Sequence, residues 1–150
     1  MGRGSTWLVI AALAATLAAC TSTSTNEVTD EDYLGALTAI CADTTEQLDS
    51  LPEPPEQISI ANFASEASNA LAGEAERARR LEPPDELADD HRAFIRNTDE
   101  QAAAWNELGS LRSPDAETLE PLVTTIGQLT LGRNDLAAEM DIPVCQRSPG

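Results

Sequence analysis

Proline clusters at Pro52-Glu53-Pro54-Pro55, at Pro83-Pro84 and at Pro114 cut the chain beyond about residue 30 into four stretches of similar length. Proline lacks the backbone donor that a helix interior needs, so each cluster ends one element and starts the next. Within the stretches apolar residues recur at three- and four-residue spacing, the period of an α-helix. Runs alternating Val, Ile, Thr and Tyr are absent, so strand pairing has no support. Helical stripes joined by short loops imply antiparallel neighbours. The reading is all-α, an antiparallel up-down-up-down four-helix bundle over residues 30–145.

The first stretch, 30–50, opens with Thr29 and Asp32 in capping-box positions and lines up Leu34, Leu37, Cys41, Thr44, Leu48 and Leu51. The second, 59–81, turns Ile60, Phe63, Ala64, Ala67, Leu71, Ala75, Ala78 and Leu81 inward. The third, 85–111, places Leu87, His91, Phe94, Ile95, Ala102, Trp105 and Leu108 on one side. Ser113-Pro114 then reads as a cap with proline at the first helical position. The fourth stretch carries Leu119, Leu122, Val123, Ile126, Leu129, Leu136 and Met140; with Pro121 early in it, the helix either starts near there or kinks.

Composition narrows the functions. The formal charge is −17, which repels a phosphate backbone and argues against nucleic acid as a partner. All nine basic residues are Arg, which removes lysine chemistry, and one histidine, His91, removes multi-histidine metal sites. The aromatic residues past the tether are Tyr33, Phe63, Phe94 and Trp105. A Leu/Ala interior favours close helix approach and leaves little volume for a cofactor, so none is expected.

The front end is a targeting segment. Arg3 precedes an apolar run from Trp7 to Leu17, eleven residues that as a helix rise about 16 Å, roughly half a bilayer's hydrocarbon thickness. That is too short to span and fits a secretory signal; the plainer alternative is a buried N-terminal helix. Leu17-Ala18-Ala19-Cys20, followed by Thr21-Ser22-Thr23-Ser24-Thr25, resembles the bacterial lipobox. The resemblance implies a diacylglyceryl group, with further acylation such as palmitate, on Cys20, and removal of residues 1–19. Two or three acyl chains hold a protein durably, where one alone does not. Residues 20–29 then form a polar tether spanning on the order of 15–20 Å as a coil, and residues 146–150 a disordered tail.

With Cys20 assigned to lipid, Cys41 and Cys145 remain, 104 residues apart. In an exported chain they form a disulfide; the alternative is two unpaired buried thiols. A loop of that length is stabilised by up to about 4.7 kcal/mol in the chain-entropy view. Cys41 lies midway along the first helix, so residues 141–145 must fold back along it.

Each remaining candidate has a structural explanation beside the functional one. His91 lacks the Glu-x-x-His pattern of bundle metal sites, since position 88 is Ala, and reads as a boundary residue. The acidic runs 27–32 and 85–90 lack a calcium-loop pattern and read as helix N-terminal charge. Arg77, Arg79 and Arg80 form the one basic cluster, either helix C-terminal charge, with Glu76 four residues before Arg80, or a weak contact for an anion. Pro52–Pro55 reads as a rigid connector rather than a polyproline ligand.

The lipobox, Tyr33-Leu34 through Ile40-Cys41, Leu81 to Leu87, Asp90-His91, Phe94 and Met140 to Cys145 together resemble small secreted lipoproteins common in actinobacteria. Asp141 stands where such endings often carry Gly. The resemblance implies location and helical fold, and no activity. The expectation is a monomeric, non-catalytic domain at the outer face of the cell membrane, without metal, acting by contact with an envelope protein. The alternative is a carrier of a small ligand between the helices.

Overall fold

The computed structural model describes residues 29–52, 57–112 and 115–148, with side chains from residue 60 onward in the second helix. The stretches read above as signal segment, lipobox and tether, residues 1–28, lie outside the described residues, as do 53–56 of the connector, Ser113 and Pro114 of the expected cap, and 149–150. Among the described residues four α-helices run in chain order: α1 Asp30–Asp49, α2 Gln57–Ala78, α3 Ala88–Ser110 and α4 Ala116–Glu139. Short 3-10 turns occupy Asp85–Leu87 and Pro143–Cys145, and there is no strand among the described residues. The chain is all-helical, and its helices pack on one another.

Local chemistry explains the helix ends. Thr29 caps α1 by accepting from the Asp32 amide at 3.1 Å, while its hydroxyl donates to the Asp32 carboxylate at 2.7 Å. α2 spans 57–78, two residues earlier than expected at its start and three earlier at its end. The third stretch divides into the 85–87 turn and α3. At α4 the cap is Asp115, which accepts from the Thr118 amide at 2.9 Å and from its hydroxyl at 2.7 Å. The helix begins at Ala116, so Pro114 precedes the cap instead of taking the first helical position. Pro121 lies inside α4. Its missing donor falls opposite Glu117, and both residues are exposed, so the freed carbonyl faces water.

α4 ends in a Schellman turn. The Ile142 amide donates to the Ala137 carbonyl at 2.9 Å and the Asp141 amide to the Ala138 carbonyl at 3.2 Å. Asp141 takes the left-handed position with φ 55°, where glycine is the usual residue. This reversal sends residues 143–147 back along α4 and brings Cys145 to Cys41, with Cα atoms 5.0 Å apart across the disulfide.

α2 packs against α1 and α3, and α4 packs against α3. Among the described residues α1 and α4 bring no Cα atoms within 8 Å of each other; the 143–145 turn packs on both and fills the seam. Two apolar clusters result. One joins Tyr33, Leu37, Cys41, Ala78, Phe94, Ala137, Met140, Ile142 and Cys145. The other joins Ala64, Ala104, Leu108 and Ile126, with Ile60, Trp105 and Leu119 against it. Between them, along α2, α3 and α4 alike, lie buried polar side chains: Ser68 and Glu74, Thr98 and Gln101, Thr130 and Arg133.

Candidate functional site

The polar layer centres on Arg133, whose side chain is 0% exposed. A guanidinium carries five N–H donors and no acceptor, so burial requires partners on several sides. Nε donates to the Cys145 carbonyl at 3.0 Å and Nη1 to the Thr98 hydroxyl at 2.8 Å. Nη2 lies 2.6 Å from Glu74 Oε1 and 3.6 Å from Cys41 Sγ. The contact to Oε1 is a charge pairing outside hydrogen-bond alignment, so its strength is electrostatic. The guanidinium carbon sits 4.5 Å from the centre of the Phe94 ring, a cation–π contact. Groups from all four helices and the returning tail meet at this one side chain.

Glu74, also 0% exposed, pairs through Oε2 with Arg147. Asn134 of α4 holds the Arg147 backbone on both sides: its amide donates to the Arg147 carbonyl and its oxygen accepts from the Arg147 N–H, each at 2.7 Å. Two guanidiniums thus face one carboxylate. Burial pushes the Arg133 pKa down to about 10 and Glu74 opposes that shift, leaving Arg133 charged at neutral pH. Arg147 Nε and Nη1 are buried with no hydrogen-bond partner among the described residues. Below this centre Gln101 bridges Asn97 at 2.7 Å and the Leu129 carbonyl at 3.3 Å.

His91 is buried, 5% exposed, where the sequence implied a boundary residue. The reason is Tyr33: its hydroxyl lies 2.8 Å from His91 Nδ1 and the rings meet edge to face. Burial lowers the histidine pKa, with Arg92 adding to the effect. Burial and then Asp90 raise the tyrosine to about 12.

The three clustered arginines each face a carboxylate of the chain itself. Arg77 pairs with Asp43 and donates to the Thr44 hydroxyl at 2.9 Å, tying α2 to α1. Arg79 pairs with Asp99 at 2.6 Å, tying the turn after α2 to α3, and Arg80 with Glu76 at 3.5 Å. Residues 146–148 also depart from the expected disordered tail, because Arg147 is clasped and ion-paired.

Sequence reading brought Cys41 and Cys145 together but missed Glu74, Thr98, Arg133 and Arg147. A signal was present. Glu74 falls between Leu71 and Ala78 on the apolar side of α2, and Arg133 between Ile126 and Ala137 on that of α4. Charges of opposite sign interrupting two apolar stripes call for each other. Among the described residues, no group of three or more His, Cys, Asp or Glu side chains could hold a metal ion. No described helix is long and apolar enough to cross a membrane. No protein-family model, curated protein or solved structure matches the chain.

Proposed function

We propose that the chain is an extracytoplasmic lipoprotein, held at the outer face of the cell membrane by acyl chains on Cys20, whose helical domain acts by non-catalytic contact with an envelope partner. The observation that carries this reading is the Cys41–Cys145 bridge. Of three cysteines it uses two, leaving Cys20, at the end of the lipobox, as the odd one. A disulfide closing most of the domain also belongs to an oxidising compartment.

In this reading the helices run up-down-up-down. Along α2 and just past its end, residues 63, 68 and 79 meet partners 105, 102 and 99 on α3, a falling series that supports opposite directions. The partner reading is favoured over the ligand carrier by two features. Glu74, the buried carboxylate among the described residues, is already engaged by two arginines. On α4, Val123 and Leu131 are 57% and 54% exposed, with Gly127 between them. In this reading the two exposed apolar side chains belong to the contact surface.

Metabolic labelling with an alkyne fatty acid tests the anchor. Label is expected on the wild-type chain and none on Cys20→Ala, which accumulates as precursor; equal labelling of both rejects the reading.

A further inference from the structure

We propose that the disulfide and the Asn134–Arg147 clasp form a redox latch, in which the tail must open before the bridge can be reduced and reduction frees the tail while the helices stay folded. The inference goes beyond the envelope reading and does not rest on it. Both bridged cysteines are fully buried, so a reductant cannot reach either sulfur while residues 142–147 lie in the seam. Ile142 and Cys145 seat the near end of the segment in the apolar cluster, and polar contacts close the seam over them: the two Asn134 bonds, Arg133 Nε on the Cys145 carbonyl, and the Arg147–Glu74 pair. Arg147 leaves two buried donors unpaired among the described residues, so its place depends on the bridge holding the tail down. Arg133 remains beside Glu74 Oε1 as a charge partner when Arg147 leaves Oε2. α2 and α3, by contrast, pack directly on each other, and the 143–145 turn packs on α1 and α4; the tail touches α2 through the Arg147–Glu74 pair.

The chemistry is thiol–disulfide exchange with a dithiol, the class to which thiol–disulfide oxidoreductases belong. The incoming thiolate attacks Cys145 Sγ, the S–S bond breaks, and the electron pair leaves on Cys41 Sγ, beside the Arg133 cation. The second thiol of the reductant then closes on the mixed disulfide, releasing Cys145. Two electrons pass, the dithiol becomes a disulfide, and the protons of its two thiols end on Cys41 and Cys145.

The test uses the oxidised full chain with dithiothreitol in native buffer, quenched by alkylation and read by mass. Asn134→Ala removes two tail bonds and is expected to speed reduction roughly tenfold. Arg92→Gln, which alters an exposed pair with Asp89, is expected to match the wild type. An Asn134→Ala rate equal to wild type overturns the latch. On the wild type itself, reduction is expected to open amide exchange at residues 142 and 144–147 while Leu71 and Thr98 stay protected. Loss of protection everywhere, or a tail still protected, overturns it as well. With glutathione as the reductant, the trapped adduct is expected on Cys145; an adduct on Cys41 contradicts the assigned direction of attack.

Discussion

Glu74 of α2 and Arg133 of α4 meet 2.6 Å apart with neither side chain exposed to solvent. Removing one member of a buried pair leaves the other as an uncompensated charge, at a cost of about 3–5 kcal/mol. Glu74→Ala is expected to lose that much stability in urea unfolding with the disulfide intact. The double variant Glu74→Leu, Arg133→Met is expected to recover most of it, because Arg147 is near enough to the surface to swing out. Additive losses in the double variant count against the pairing.

His91 gives the domain a pH dependence of definite sign. Its pKa is lowered in the folded state, so below about pH 6.5 the unfolded chain binds the extra proton first. The contribution is complete above the unfolded pKa and is lost as pH falls through 6.5 toward the folded value. The melting temperature of the wild type minus that of His91→Gln is therefore expected to shrink between pH 7.5 and 5. A difference that grows on acidification contradicts the buried, neutral histidine beside Tyr33.

Glycines inside the helices divide into two kinds. A Cβ at Gly127 or Gly73 would meet nothing within 4 Å, so alanine there is expected to stabilise by about 0.5–1 kcal/mol. At Gly109 the Cβ would lie 2.7 Å from the Ser65 hydroxyl and 3.1 and 3.2 Å from α2 backbone atoms. Gly109→Ala is expected to destabilise by about 1–3 kcal/mol through forced separation of α2 and α3. Chemical denaturation of the three variants distinguishes the two cases.

The left-handed backbone at Asp141 predicts a further gain. Asp141→Gly removes the Cβ penalty at φ 55° and is expected to raise stability by about 0.5–1 kcal/mol, whereas Asp141→Val is expected to lower it. Thermal melts of the two variants moving in the same direction contradict the turn.

The helices were legible because their signals are local. Period, capping residues and proline clusters act within a few turns, and they placed all four elements; the backfolded tail followed from pairing Cys41 with Cys145. What the sequence hid depends on partners distant along the chain. Tyr33 rather than Leu34 turns fully inward because His91 waits on α3 for its hydroxyl. Arg133 reads as a surface charge until Glu74, Thr98 and the Cys145 carbonyl surround it. The Asp115 cap was obscured by Ser113-Pro114, a more familiar start pattern just upstream.

Intact-mass measurement of the protein extracted from its native membranes tests the proposed anchoring most directly. The account predicts a chain beginning at Cys20, heavier by a diacylglyceryl group and acyl chain, and lighter by two hydrogens for the Cys41–Cys145 bridge. A chain that still begins at Met1 and carries no acyl mass would contradict it.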